Sequence, residues 1–359
     1  MDSKKYQTNS EISQVRLENA VLNNNIKEAR DAINMGADIN KFNAAGYTLL
    51  AEAARTGKTN AVKFLIKIGA DINKNSIYRW PPLFYAVQAG DMQSVRILVD
   101  CGADITKKDH NGYTVLMLAC RYGYRQIAEL LLDRGIDIEC TDTCGQNALM
   151  TAFTYGHSDT VNMLLDRGAD INATNRKCWN IFTYACHWGD VDKAVYFLGK
   201  GADIDHAVST GETALILACR GPYNDMVKTL LDHGANVNKQ DNLGETALMN
   251  ACLHNKYSKK YILMLLSAGA DLNIANNYGY TAAMFLAERG FTDLIKTLAF
   301  AGADLTVRND RGETALDILK YRHPNKYKSW IKRNVMGARQ KILNAEDSER
   351  SGFTPDFDI

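Results

Sequence analysis

Between Asp109 and Glu139 the apolar positions follow the spacing of helices rather than of strands. Leu116 and Ala119 fall on one face of a short segment that Thr114 starts and Gly123 ends, and Ile127, Leu130 and Leu131 fall on one face of a second that Gly135 stops. Gly112 closes a turn just ahead of both. A threonine before an apolar run and a glycine after it are start and stop signals, so the stretch predicts two short antiparallel helices.

The pattern recurs along the chain. The string GADIN or a close variant opens at Gly36, Gly69, Gly102, Gly135, Gly168, Gly201, Gly234, Gly269 and Gly302, with seven intervals of 33 residues and one of 35. Similar repeats begin near Asn43, Ser76, Asp142, Asn175, Val208, Asp241, Asn276 and Asn309, and a half-matched one near Ser13. A fixed period of this length means one supersecondary element copied many times, each copy unable to bury its own apolar face and therefore stacked on its neighbours. The expected organisation is a polar segment over 1–12, a solenoid over 13–333 and a basic-then-acidic tail over 334–359 that lacks fixed structure alone. The solenoid would hold ten repeats: an N-terminal capping repeat, eight internal ones and a C-terminal cap. One continuous elongated domain follows.

The copies resemble ankyrin repeats. The resemblance implies an all-α solenoid of helix-turn-helix repeats with short β-turn or hairpin tips. The family's T-P-L-H stretch is poorly kept: the threonine survives as Thr48, Thr114, Thr213, Thr246, Thr281 and Thr314, proline follows at that place only as Pro82, and the histidine is absent. Helix starts still work on this reading because threonine supplies a capping oxygen. Arg79 and Cys178 replace the turn glycine in two repeats, each followed by a tryptophan. Two extra residues around HNKYSKK (254–260) predict a longer loop between helices.

Composition narrows the function classes. The 359 residues carry a formal charge of +1, which gives no global pull toward nucleic acid or membranes. No apolar run approaches the roughly 18 residues needed to cross a bilayer, and MDSKKYQTNSEIS lacks a signal-peptide core. A soluble protein of the cytoplasm is expected, that of a host cell if the chain is exported. Cys120, Cys186, Cys219 and Cys252 share the place where other copies carry Ala54, Val87, Phe153 and Ala287, which marks them as small core residues. Cys140 and Cys144 have no second pair at ligand spacing. No phosphate-binding, dinucleotide-binding, zinc-protease or nucleophile-elbow motif occurs. The seven histidines, His110, His157, His187, His206, His233, His254 and His323, read mostly as solvated, and Asp170 and Asp203 as partners of local backbone. No catalytic residue, metal or cofactor is expected.

The resemblance also implies where a partner would bind, since in this family the turn tips and the exposed inner side of the first helices form a concave groove. On this chain those positions hold Tyr78, Trp80, His110, Tyr113, Arg121, Tyr122, Tyr155, Arg176, Lys177, Trp179, His187 and Trp188. Three of the four tryptophans are thus expected to point outward. Trp, Tyr and Arg dominate binding hot spots, where one buried side chain contributes about 2 kcal/mol or more; the competing use of such rings is as staples between neighbouring turns. Later repeats carry Glu212, Glu245 and Glu288, so the groove is expected to turn acidic. Ile318, Leu319, Tyr327, Trp330 and Ile331 would pack a C-terminal cap beneath a run of lysines and arginines, and residues 345–359, acidic with Phe353, Phe357 and Ile359, would suit a docking tag. The function expected is a monomeric, non-catalytic scaffold, inhibitor or adaptor that captures a protein. The alternative is a sequestering receptor for a nucleotide or nucleic acid, with aromatic stacking on the order of 1 to 3 kcal/mol per base.

Overall fold

The computed structural model describes residues 3–23, 25–253 and 258–332, and their regular structure is helical apart from three isolated bridges, Phe42 with Thr48, Lys108 with Thr114 and Ala207 with Thr213. These bridges sit at turn tips, so the fold is an all-α repeat solenoid with hairpin-like tips. The chain divides into two compact units, Met1–Ile181 and Phe182–Ile359.

The first unit holds α1 (Ser3–Leu22), α2 (Ile26–Asn34), α3 (Leu49–Arg55), α4 (Thr59–Lys67), α5 (Pro82–Gln88), α6 (Met92–Asp100), α7 (Val115–Arg121), α8 (Arg125–Asp133), α9 (Ala148–Thr154) and α10 (Ser158–Asp166). Helix α1 starts at Ser3, ahead of the boundary expected at 13, and buries Ser13, Gln14, Leu17, Ala20 and Val21. Helices α3, α5, α7 and α9 pack side by side as one layer, and α4, α6, α8 and α10 form the other. After α11 (Ile181–Trp188), the second unit repeats the scheme in α12 (Val191–Gly199), α13 (Ala214–Arg220), α14 (Asn224–Asp232), α15 (Ala247–Leu253), α16 (Ser258–Ser267), α17 (Ala282–Arg289), α18 (Thr292–Phe300) and α19 (Ala315–Arg322), with residues 324–332 helical again.

The two layers differ in how they are buried. In α7 every residue from Val115 to Cys120 is buried, not only Leu116 and Ala119, because its neighbours in the layer and its own partner helix enclose it on several sides. Exposure begins only at Arg121 and Tyr122, at the end of the helix. In α8, by contrast, Ile127, Ala128, Leu130 and Leu131 are buried while Arg125 and Gln126 face solvent. The exposed side chains of this first helix are therefore confined to its end.

Local chemistry starts and stops these helices largely as the sequence implies. Thr48, Thr114, Thr213, Thr246 and Thr314 each accept a hydrogen bond from a backbone N–H three residues on. Thr281 makes no such cap bond, while Asn147, not read as a cap, accepts one from the Met150 N–H at 3.0 Å. Cys120, Cys186, Cys219 and Cys252 are all buried, and burial pushes the Cys219 thiol up to about 12. The carboxylates of Asp170 and Asp203 accept the N–H of Asn172 and Asp205, each an Asx turn. His157 and His323 are not merely solvated: each covers a glycine, Gly123 or Gly290, and places Nε2 within 2.9 Å and 2.8 Å of the Arg121 and Glu288 carbonyls. Of the expected 254–260 loop, 254–257 lie outside the described residues and Ser258 already begins α16. In the C-terminal cap, Ile318 and Leu319 are buried and the Lys326 ammonium donates to the Gly290 carbonyl. The tail at 334–359 lies outside the described residues.

One polar device joins successive repeats. In the first unit the side chains of Asn40, Asn73 and Glu139 accept the backbone N–H of Asp71, Asp104 and Asp170, each at 2.8 Å. In the second unit Asp205, Asn238 and Asn273 accept the N–H of Asn236, Asp271 and Asp304 at 2.8–2.9 Å. These are all the fifth letter of GADIN and the third letter of the next copy. Thr106 breaks the series, because its hydroxyl is too short to reach the next repeat and donates to its own Asp104 at 2.7 Å.

Thr106→Asn is expected to supply the missing acceptor for the Asp137 N–H and raise stability by about 1 kcal/mol, read as a higher urea midpoint at unchanged slope. Native protein treated with a thiol-specific chromophore should be labelled at once at exposed Cys101 and Cys144; the four buried thiols should react only after unfolding.

Candidate functional site

The tips are built by short side chains that bend the backbone. Asp109 Oδ1 accepts the N–H of Asn111 and Tyr113, both at 2.8 Å, and Asn175 Oδ1 accepts those of Lys177 and Trp179 at 2.9 and 3.0 Å. At the tip of the repeat that starts at Ser76, the Ser76 hydroxyl accepts the Tyr78 N–H at 3.2 Å and lies 2.7 Å from the Tyr85 hydroxyl. Arg79 and Cys178, where other tips have glycine, hold φ of 64° and 57°. A side chain in this left-handed region costs roughly 1–2 kcal/mol relative to ordinary backbone.

Backbone bonds zip one tip to the next, but not everywhere. The N–H groups of Ile77, Thr143 and Arg176 donate to the carbonyls of Gly46, Asn111 and Cys144 at 2.8–3.0 Å. Between the tips at 76–80 and 109–113, where the pattern would join the His110 N–H to the Tyr78 carbonyl, no such bond forms among the described residues.

At this gap lies a cavity of about 640 Å³ lined by Tyr47, Ile77, Tyr78, Arg79, Trp80, Tyr85, Gln88 and His110. Its wall is aromatic. The Tyr47 ring lies 5.4 Å from Tyr78 and 5.3 Å, edge-on, from Tyr85, and Trp80 lies 5.6 Å from Phe84 and 5.5 Å from Tyr85. Behind Tyr47, at 5.2 Å, stands the Arg55 guanidinium, which Glu52 holds through two hydrogen bonds and pushes to a higher pKa. Burial pushes the Tyr85 phenol up, against the opposing effect of the Ser76 bond. Tyr78 is 53% exposed, so its ring is open to solvent.

The sequence-derived candidates other than Trp179 sort into five environments. Tyr78, Trp80 and His110 come together at the cavity. Arg121 stacks its guanidinium 5.0 Å from the exposed Tyr155 ring, and Tyr113, its phenol pushed up by burial, lies nearby. Tyr122 stacks on Tyr124 of the same loop at 5.6 Å, and Tyr124 in turn covers Gly90 of the preceding repeat. Arg176 and Lys177 are exposed at their tip. His187 and Trp188 belong to the second unit, where Trp188 is 47% exposed and 5.4 Å from the Tyr184 ring.

Two expectations are corrected here. Trp80 and Trp179 do not point freely outward; both are half-buried. They occupy the position just before the first helix's N-cap, which Tyr47, Tyr113 and Gln146 fill, also half-buried, in other repeats because the tip folds over it, and which Glu212 and Glu245 fill fully buried. Nor do Glu212, Glu245 and Glu288 form a free acidic stretch. Glu212 and Glu245 are buried, Glu212 pairs with Arg220, and Arg220 Nε also donates to Asn250 at 2.7 Å. Burial, then the nearby Asp241, pushes the Glu245 carboxyl up. Glu288 accepts the Tyr280 hydroxyl at 3.2 Å. Tyr47, Tyr85 and Arg55 were missed as site residues, although alignment of Tyr47 with Trp80 in the repeat would have revealed the first.

A family model described as ankyrin repeats (3 copies) matches residues 17–109, 83–175 and 181–276, and one described as ankyrin repeats (many copies) matches 265–319. No individual curated protein matches the chain. Among the described residues no helix is long and apolar enough to cross a membrane.

Arg79→Gly and Cys178→Gly should each raise stability by up to about 1 kcal/mol, the relief of left-handed strain less the added freedom of glycine in the unfolded chain. Thermal unfolding of the two variants checks this; a lower melting temperature for both would refute the strain.

Proposed function

Because the chain belongs to the ankyrin-repeat family, whose repeats are generally protein-interaction modules, we propose that it is a non-catalytic scaffold that captures a protein partner on the tips and first-helix ends of its first unit. The observation that carries this reading is the aromatic cavity between the tips at 76–80 and 109–113, with an exposed phenol at its mouth. Half-buried rings such as Trp80 and Tyr47 hold the wall rigid, so a partner side chain entering there loses little free energy to reorganisation. Tyr78, Arg79 and His110 then make the contact. Arg121 with Tyr155, and Arg176 with Lys177, extend the surface along the same unit and orient the partner through charge. His187 and Trp188 supply a separate contact on the second unit. In the same reading the protein works as a cytoplasmic monomer, and capture itself, by blocking or recruiting the partner, is its effect.

Strain supports the assignment. Left-handed backbone carrying a side chain other than glycine persists where the surrounding structure over-determines it, and such positions cluster at binding sites. Arg79 is one of two such residues among those described, and it lines the cavity.

Once a partner is in hand from affinity capture in the source cell, Tyr78→Ala should weaken its binding by about tenfold or more with the helical circular dichroism unchanged. Trp80→Ala should weaken it further and lower the melting temperature as well, since Trp80 packs on Phe84 and Tyr85. Undiminished affinity in Tyr78→Ala would show that the partner binds elsewhere.

A further inference from the structure

The cavity is chemically one-sided. Its eight lining residues include one fixed cation, Arg79, one histidine, His110, the amide of Gln88 and no carboxylate. Arg79 is exposed and makes no ion pair among the described residues, whereas the neighbouring Arg55 is already held by Glu52. The acid nearest in sequence, Asp109, spends its Oδ1 on the N–H groups of its own turn. The break in the tip zipper also leaves the His110 N–H with no acceptor from the preceding tip. An unpaired guanidinium and a spare backbone N–H beside a wall of rings are complementary to a carboxylate next to an aromatic side chain.

Resting on the scaffold reading above, we infer that this cavity takes an acidic peptide segment of the partner that carries an aromatic anchor. The ring of the anchor lies among Tyr47, Tyr78 and Trp80, and a flanking Asp or Glu side chain pairs with Arg79 and accepts from the His110 N–H. The left-handed conformation at Arg79 then has a use: glycine would turn the chain more easily but would remove the cation from the rim.

The test is a random peptide array probed with the full-length protein, followed by affinity measurements on the peptides it selects. The selected set should be enriched in Asp and Glu next to Phe, Tyr or Trp, and added salt should weaken binding. Arg79→Gly, a substitution the backbone favours, should weaken those peptides about tenfold while Arg79→Lys retains part of the affinity. Tyr278→Ala, at an exposed tip of the second unit, should change nothing. Selection of basic peptides, absence of any acidic enrichment, or full affinity in Arg79→Gly would overturn the inference. Peptides without acidic bias whose binding is nevertheless lost in Tyr78→Ala would overturn it while leaving the scaffold reading intact.

Discussion

A helix of seven residues cannot cover its own apolar surface, and the rest of this molecule follows from that constraint. Six consecutive residues of α7 are buried, as are six of α5, α9 and α13. Such a segment has no solvent face along most of its length, so it is stable only between two copies of itself and a partner helix. The second helices bear the amphipathic pattern because one of their sides is left to water. Each repeat therefore derives its stability from its neighbours.

Stacking aligns the backbone of successive copies closely enough for polar links to form, and those links are where repeats stop being equivalent. An Asn, Asp or Glu at the end of the GADIN string reaches the next copy; a Thr does not. At the tips, backbone bonds join most neighbours but leave the pair at 76–80 and 109–113 unzipped. There the same apolar architecture opens into a cavity instead of closing. The cavity thus lies at a local failure of the repeat, lined by packed rings and by Arg79 in a left-handed conformation.

Charge follows the same logic. Glu212 and Glu245, expected to turn the later groove acidic, are instead buried, and the Glu212 carboxylate is tolerated there because Arg220 pairs with it. The chain's near-zero formal charge conceals this internal neutralisation. What remains at the first-unit cavity is positive and aromatic.

The helices, their order, the turn glycines and the buried cysteines were readable from sequence because each depends on a short-range rule repeated many times: period, cap, stop and small core residue. Tyr78, Arg121, Tyr155 and Trp188 were also legible as exposed, since they interrupt the repeat at tips and helix ends. Sequence could not tell that Trp80 and Trp179 are half-buried, that Tyr85 completes the cavity, or that Tyr122 is stacked on Tyr124. Those outcomes depend on how each tip and loop folds over its own helices, which is settled only once the copies are stacked. Periodicity determines that the copies stack; tertiary contact alone decides which of their irregular residues are enclosed and which are left exposed.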